Sequence, residues 1–133
     1  MEESSAPSIV VGSAGILAVD DETALLHIAR GMLEACGYEV FCAQDGETGV
    51  EIYRREHDRI QGVLLDLSMP RMSGLEVFER IRKIDPGVKV LLSSGFMADH
   101  DRQKAAALGL KRFIQKPYRI AELSAKMKEV LEG

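Results

Sequence analysis

The sequence predicts an α/β protein: a doubly wound parallel sheet of five strands covered on both faces by five helices. Three observations predict it. Apolar runs of strand length alternate with longer stretches whose apolar residues recur at intervals of three and four. The strand runs, residues 15–19 and 63–65 above all, are apolar on both faces, as strands buried between two helix layers are. Side chains with chemistry sit where those runs end, at the carboxyl edge where open α/β sheets hold their ligands. The 133 residues suffice for one core and are too few for two.

In chain order, residues 1–13 are rich in Ser, Glu, Ala, Pro and Gly and are expected to form a flexible tail ahead of a domain over 14–133. The triplet Ile9, Val10 and Val11 is too short to assign. Residues 15–19 form the first strand, ending at Asp20 and Asp21. Residues 22–36 form the first helix: Leu25, Leu26, Ala29, Met32, Leu33 and Cys36 share a face, and Gly37 stops it. The second strand covers 38–43, Gln44-Asp45-Gly46 turns the chain, and a helix over 47–56 points Val50 and Tyr53 inward. The third strand, 63–66, ends on a single carboxylate, Asp66. A helix then runs from Ser73 or Gly74 to Lys83, with Leu75, Val77, Phe78 and Ile81 apolar.

Asp85-Pro86-Gly87 is a strong turn signal. The fourth strand, 88–92, ends in Ser93-Ser94-Gly95. A polar, Ala-rich helix follows over roughly 98–108. The fifth strand, 112–115, ends at Lys116-Pro117, and the last helix, 120–131, turns Leu123, Met127, Val130 and Leu131 inward. Right-handed crossovers leave strand orders 2-1-3-4-5 and 3-2-1-4-5 both open.

Composition narrows the class. With 46% hydrophobic and 29% charged residues the chain reads as globular. A net charge of -4 gives no support to a nucleic-acid surface. No apolar run approaches the ~20 residues of a membrane span. The acidic, polar start is not a secretory signal, so the expected location is cytoplasmic. Cys36 and Cys42 both fall in expected core elements and read as buried free thiols. His27, His57 and His100 lack ligand spacing and read as structural or surface residues.

The strand ends bring together Asp20, Asp21, Asp66, Ser94 and Lys116. Each has a bland reading: Asp21 or Ser94 could cap a helix, and Lys116 could be a surface charge. Five such residues at strand ends in one crevice is a different matter. Two like charges ~4 Å apart repel by about 4 kcal/mol at an effective dielectric of 20. Three carboxylates must therefore protonate or bind a cation, and one lysine does not neutralise them. A hard, all-oxygen set with few carboxylates suits Mg²⁺, which shares its shell with water and phosphate. A carboxylate beside Mg²⁺ and an ammonium can attack phosphorus. The residue types point to Mg²⁺-dependent phosphoryl transfer onto an aspartate.

From Gly15 to Leu131 the chain resembles a response-regulator receiver domain of two-component signalling. The resemblance rests on Asp20-Asp21-Glu22, on Asp66 with Met69-Pro70 and Gly74, on Ser94-Gly95, and on Lys116-Pro117. It implies a flavodoxin-like sheet of order 2-1-3-4-5. It implies that Asp66 is the phosphoacceptor, and that Asp20, Asp21, Asp66 and the backbone carbonyl of Ser68 hold Mg²⁺. Lys116 pairs with the phosphoryl group, followed by a cis Lys116-Pro117 bond. Ser94 is the switch hydroxyl and Phe113 the switch aromatic, their movement altering the surface of the fourth helix, fifth strand and fifth helix. The implied partner is a histidine kinase or phosphotransfer domain. A homodimer, or a covalently linked kinase module, is a further implied context. No substrate turnover beyond the domain's own phosphorylation and dephosphorylation is expected.

Ser94 replaces the frequent Thr. Phe96 is apolar where many receivers carry a polar or smaller residue near the path of the hydrolytic water, so Phe96 and Ser68 are expected to orient that water poorly and the aspartyl phosphate to be long-lived. The stretch from Leu91 to Phe96 and the leading tail look like the terminal receiver of a hybrid kinase, which would put the domain at the inner face of a membrane; a stand-alone receiver is the other context. Rival classes fit less well. A haloacid-dehalogenase-type phosphohydrolase would carry its nucleophile on strand one with an acid two residues later. A flavin protein would have a Ser-, Thr- and Gly-rich first loop, here acidic. A receiver-like module working through protein contacts alone would not need the intact acid set.

Overall fold

The computed structural model describes residues 14–133; the expected tail and the triplet Ile9 to Val11 lie outside the described residues. The element order is β1 (Gly15–Val19), α1 (Thr23–Ala35), β2 (Glu39–Ala43), α2 (Gly46–Glu56), β3 (Gly62–Asp66), α3 (Gly74–Ile84), β4 (Val90–Ser94), α4 (Asp99–Ala107), β5 (Phe113–Gln115) and α5 (Ile120–Glu132). A single 3-10 turn, His57–Arg59, follows α2 and has no counterpart in the expected elements. All strand pairs are parallel, and the sheet order is β2-β1-β3-β4-β5. The two-fold alternation of side chains sorts β1, β3 and β4 into two cores. Leu17, Val19, Val63, Leu65, Val90 and Leu92 face α2, α3 and Ala105 of α4. Ile16, Ala18, Leu64 and Leu91 face α1 and α5.

Two expectations are corrected. The fourth strand begins and ends two residues later than 88–92. Asp85 holds the turn, accepting from Gly87 N at 3.0 Å on its side chain and from Val88 N at 3.1 Å on its carbonyl. Ser93 and Ser94 then continue the ladder. Ser93 O accepts from Leu67 N at 2.9 Å, and Ser94 O from Lys116 N at 2.9 Å. Cys42 is only half-buried, although Cys36 is buried; both are free thiols. β2 is an edge strand, so its side chains meet fewer neighbours. The three histidines are all exposed.

Helix ends are set by local chemistry. Asp45 caps α2, accepting from Thr48 N at 2.8 Å. Ser73 and Glu76 form a reciprocal capping box at the start of α3. Gly74 follows, and any Cβ there would lie 2.4 Å from the Asp66 carbonyl oxygen. Only glycine lets α3 start against the exit of β3. α4 is different: of its nine residues only Ala105 is buried, and its N-cap, Ala98, offers no side-chain bond. Among the described residues no helix is long and apolar enough to cross a membrane.

Candidate functional site

At the carboxyl edge β1 delivers Asp20, β3 delivers Asp66, and the chain after β5 delivers Lys116. The Lys116 ammonium donates to Asp20 Oδ2 at 2.8 Å and to Asp66 Oδ1 at 3.0 Å. Asp20 Oδ1 accepts from Glu22 N at 2.9 Å. Asp20, rather than Asp21, therefore braces the entry to α1. Both bonded acids are buried, and Asp21 is exposed. The Lys116-Pro117 peptide is cis.

Asp20, Asp21 and Asp66 each offer one oxygen within 4.8 Å of the others. Opposite oxygens of an octahedral Mg²⁺ at ~2.1 Å stand about 4.2 Å apart, so the three oxygens are close to the span of one ion. The donor set is all oxygen and hard, which is the kind Mg²⁺ takes. Ser68 is exposed and lines the same crevice, with Leu25, Gly95 and Pro117.

The electrostatics are those of a crowded anionic cluster. Burial pushes the Asp66 carboxyl up to about 6; the bond from Lys116 opposes this, and repulsion from Asp20 and Asp21 adds to it. Burial alone would lower Lys116, but its bonds to Asp20 and Asp66 outweigh that and hold it above the usual ammonium range. One ammonium thus leaves the acid cluster under-compensated.

Ser94 and Phe113 lie next to this crevice, not in it. Asp66 pairs with Ser93 across β3 and β4, so Ser94 stands one residue beyond the acid. Its hydroxyl donates to Phe96 O at 2.6 Å and accepts from Phe96 N at 3.2 Å. It does not cap α4. Phe113 is half-buried, with the Arg102 guanidinium 5.5 Å over its ring. Ser94, Phe113 and Phe96 line a separate cavity of about 400 Å³. Phe96 is thus beside this cavity, while Gly95 lines the acid crevice.

Three neighbours of the site had no role assigned from the sequence, although Glu22 and Gly74 are among the residues that carry the resemblance. Glu22 Oε1 lies 3.8 Å from the Lys116 ammonium. Gly74 holds α3 against the Asp66 carbonyl. Tyr118 is pushed up to about 12, chiefly by burial, in the field of Lys116, Asp20 and Asp66. Glu22 follows the acid pair and Gly74 follows a helix-capping serine, while Tyr118 left no signal.

Residues 16–128 match the family model of the response regulator receiver domain. The chain belongs to that family. Among curated proteins, this receiver domain is 35% identical over 116 residues to the probable transcriptional regulator ycf27 of Porphyridium aerugineum, covering 87% of this chain and 47% of that protein. The chain spans about half the length of the curated relatives it matches. A CheY-like receiver domain protein from Methanospirillum hungatei superposes with a TM-score of 0.84 at 31% identity, covering 91% of this chain and 95% of that one. The response regulator TrrA of Thermotoga maritima, solved with Mg²⁺ and beryllium fluoride, superposes with a TM-score of 0.76 at 30% identity, covering 88% and 98%. Receiver domains are signalling domains that interact with histidine kinases and bind Mg²⁺ at an acidic pocket.

Proposed function

We propose that this receiver domain is a phosphorelay switch with Asp66 as its phosphoacceptor. The observation that carries the reading is the buried contact of one ammonium, Lys116, with Asp20 and Asp66, beside a third acid within reach of one ion. Asp20, Asp21, Asp66 and the Ser68 carbonyl would hold Mg²⁺. When bound, Mg²⁺ neutralises the acids and polarises a phosphoryl oxygen.

The chain's own residues do the rest. An Asp66 carboxylate oxygen attacks phosphorus. The P–N bond of a phosphohistidine on a histidine kinase or phosphotransfer domain breaks, and its imidazole leaves and takes up a proton. Lys116 is already bonded to Asp66 at 3.0 Å and would donate to a phosphoryl oxygen as charge spreads over it. The Ser94 hydroxyl donates to a second oxygen. As Ser94 moves toward the phosphate, Phe113 turns inward, and the surface of α4, β5 and α5 changes its affinity for a partner or an attached output. Such a shift requires the phosphoryl group to contact one state better than the other; 1.4 kcal/mol changes the ratio about tenfold. The work is done on the cytoplasmic side, with a kinase as donor whether it is a separate protein or joined to this chain.

The test is intact mass after incubation with acetyl phosphate and Mg²⁺. One phosphoryl adduct, labile to acid and base, needing Mg²⁺ and lost in Asp66→Asn, is expected. An adduct of the same size in Asp66→Asn would refute the assignment. Without any adduct, failure of beryllofluoride to bind as well would favour a module that works by protein contacts alone.

A further inference from the structure

Among the described residues Phe96 is the most exposed large hydrophobic side chain, at 80%. It stands at the mouth of the cavity of about 400 Å³ whose walls include Leu92, Met97, Phe113 and Ile114. That volume takes a phenyl ring, and water gains by losing contact with one. What keeps the ring outside is visible in the main chain. The Ser94 hydroxyl donates to the Phe96 carbonyl at 2.6 Å and accepts from its N–H at 3.2 Å. One side chain therefore pins both polar groups of the Phe96 backbone. Gly95, the hinge between them, is exposed, and a Cβ there would meet nothing within 4 Å, so the loop has room to turn.

A serine hydroxyl has one proton to donate. It cannot serve the Phe96 carbonyl and a phosphoryl oxygen at once. We infer that Phe96 is a second switch aromatic, held outside the cavity by Ser94 and released into it when Ser94 turns to a phosphoryl group on Asp66. The outcome is that phosphorylation removes an exposed aromatic from the loop beside the acid crevice, in addition to changing the α4-β5-α5 surface. The inference rests on Asp66 as phosphoacceptor and Ser94 as the hydroxyl that answers it.

The chain contains no tryptophan, so Phe96→Trp places a single indole reporter at this position. In the unmodified protein its emission should be that of an exposed indole and readily quenched by acrylamide. Beryllofluoride with Mg²⁺ should shift the emission to the blue and reduce quenching several-fold. Replacing Ser94 by Ala in the same background should produce the same change without beryllofluoride, because the tie is gone. An indole that stays exposed in the Ser94→Ala background overturns the inference. So does one that stays exposed while fluorine NMR shows beryllofluoride bound. If no beryllofluoride binds, the Asp66 reading fails instead, and the Ser94→Ala arm still decides whether Ser94 holds Phe96 out.

Discussion

Asp66→Asn should make the metal-free domain more stable at neutral pH. The carboxylate is 3% exposed and its carboxyl sits at about 6, against 3.8 for an unperturbed Asp. A folded-state value above the unfolded one means that the folded protein holds the proton more tightly. Stability from this group is therefore full below about pH 4 and is lost as pH rises toward and through 6. Two units correspond to about 3 kcal/mol above pH 7. An amide has nearly the same shape, keeps an acceptor for Lys116 and carries no charge. In chelator at pH 7.5 the variant should gain on the order of 1–3 kcal/mol, read as a higher urea midpoint at an unchanged slope. At pH 4 the gap should shrink by about 2 kcal/mol, because the wild-type carboxyl is then protonated in the fold. Mg²⁺ at ten times its Kd should return about 1.4 kcal/mol to the wild type and less to the variant. A variant less stable than wild type at pH 7.5, or a gap indifferent to pH, would refute the reasoning.

Four further outcomes are expected. Arg71 holds a left-handed backbone with φ of 68°; Arg71→Gly should stabilise by about 0.5–1 kcal/mol in urea melts, strain relief exceeding the added freedom of the unfolded chain. Gly74→Ala would drive a Cβ against the Asp66 carbonyl, costing about 1–3 kcal/mol and slowing adduct formation from acetyl phosphate. Asp45→Ala removes the α2 cap and should cost about 1 kcal/mol. The Asp45 carboxyl is held low by its bonds with Thr48, so that loss should be full above its unfolded value of 3.8 and fade as pH falls through the depressed value. The phosphorylated wild type should lose phosphate slowly in Mg²⁺ buffer and Phe96→Glu faster, followed by mass; equal rates would remove Phe96 from control of the attacking water.

The strand ends were readable because a parallel sheet aligns them without further information. Asp20, Asp66 and Lys116 each close an apolar run, and their meeting follows from topology alone. The boundaries of β4 were not readable. Ser93 and Ser94 look like a turn in sequence, and only pairing with β3 and β5 keeps them in the ladder. The half-exposed Cys42 has the same origin, since apolar character does not say which strand lies at an edge. The Ser94 tie to Phe96 depends on a rotamer, and the Gly74 contact on the path of a neighbouring strand. The Tyr53 hydroxyl bonds to Asp85 Oδ2 at 2.8 Å across 32 positions of sequence. No local pattern predicts such a pair.

α4 rests on the sheet through one buried methyl, that of Ala105. The other eight positions of this nine-residue helix are exposed or half-buried, Arg102 lying over the Phe113 ring, so most substitutions there change charge and shape at the surface. The carboxylates lie across β4, braced by other elements. The acid cluster and the α4 surface are thus built by separate parts of the chain: the carboxylates stand at the ends of β1 and β3, and α4 is anchored by one alanine. The shape and charge of α4 can therefore change without disturbing the contacts that hold Asp20, Asp66 and Lys116 together.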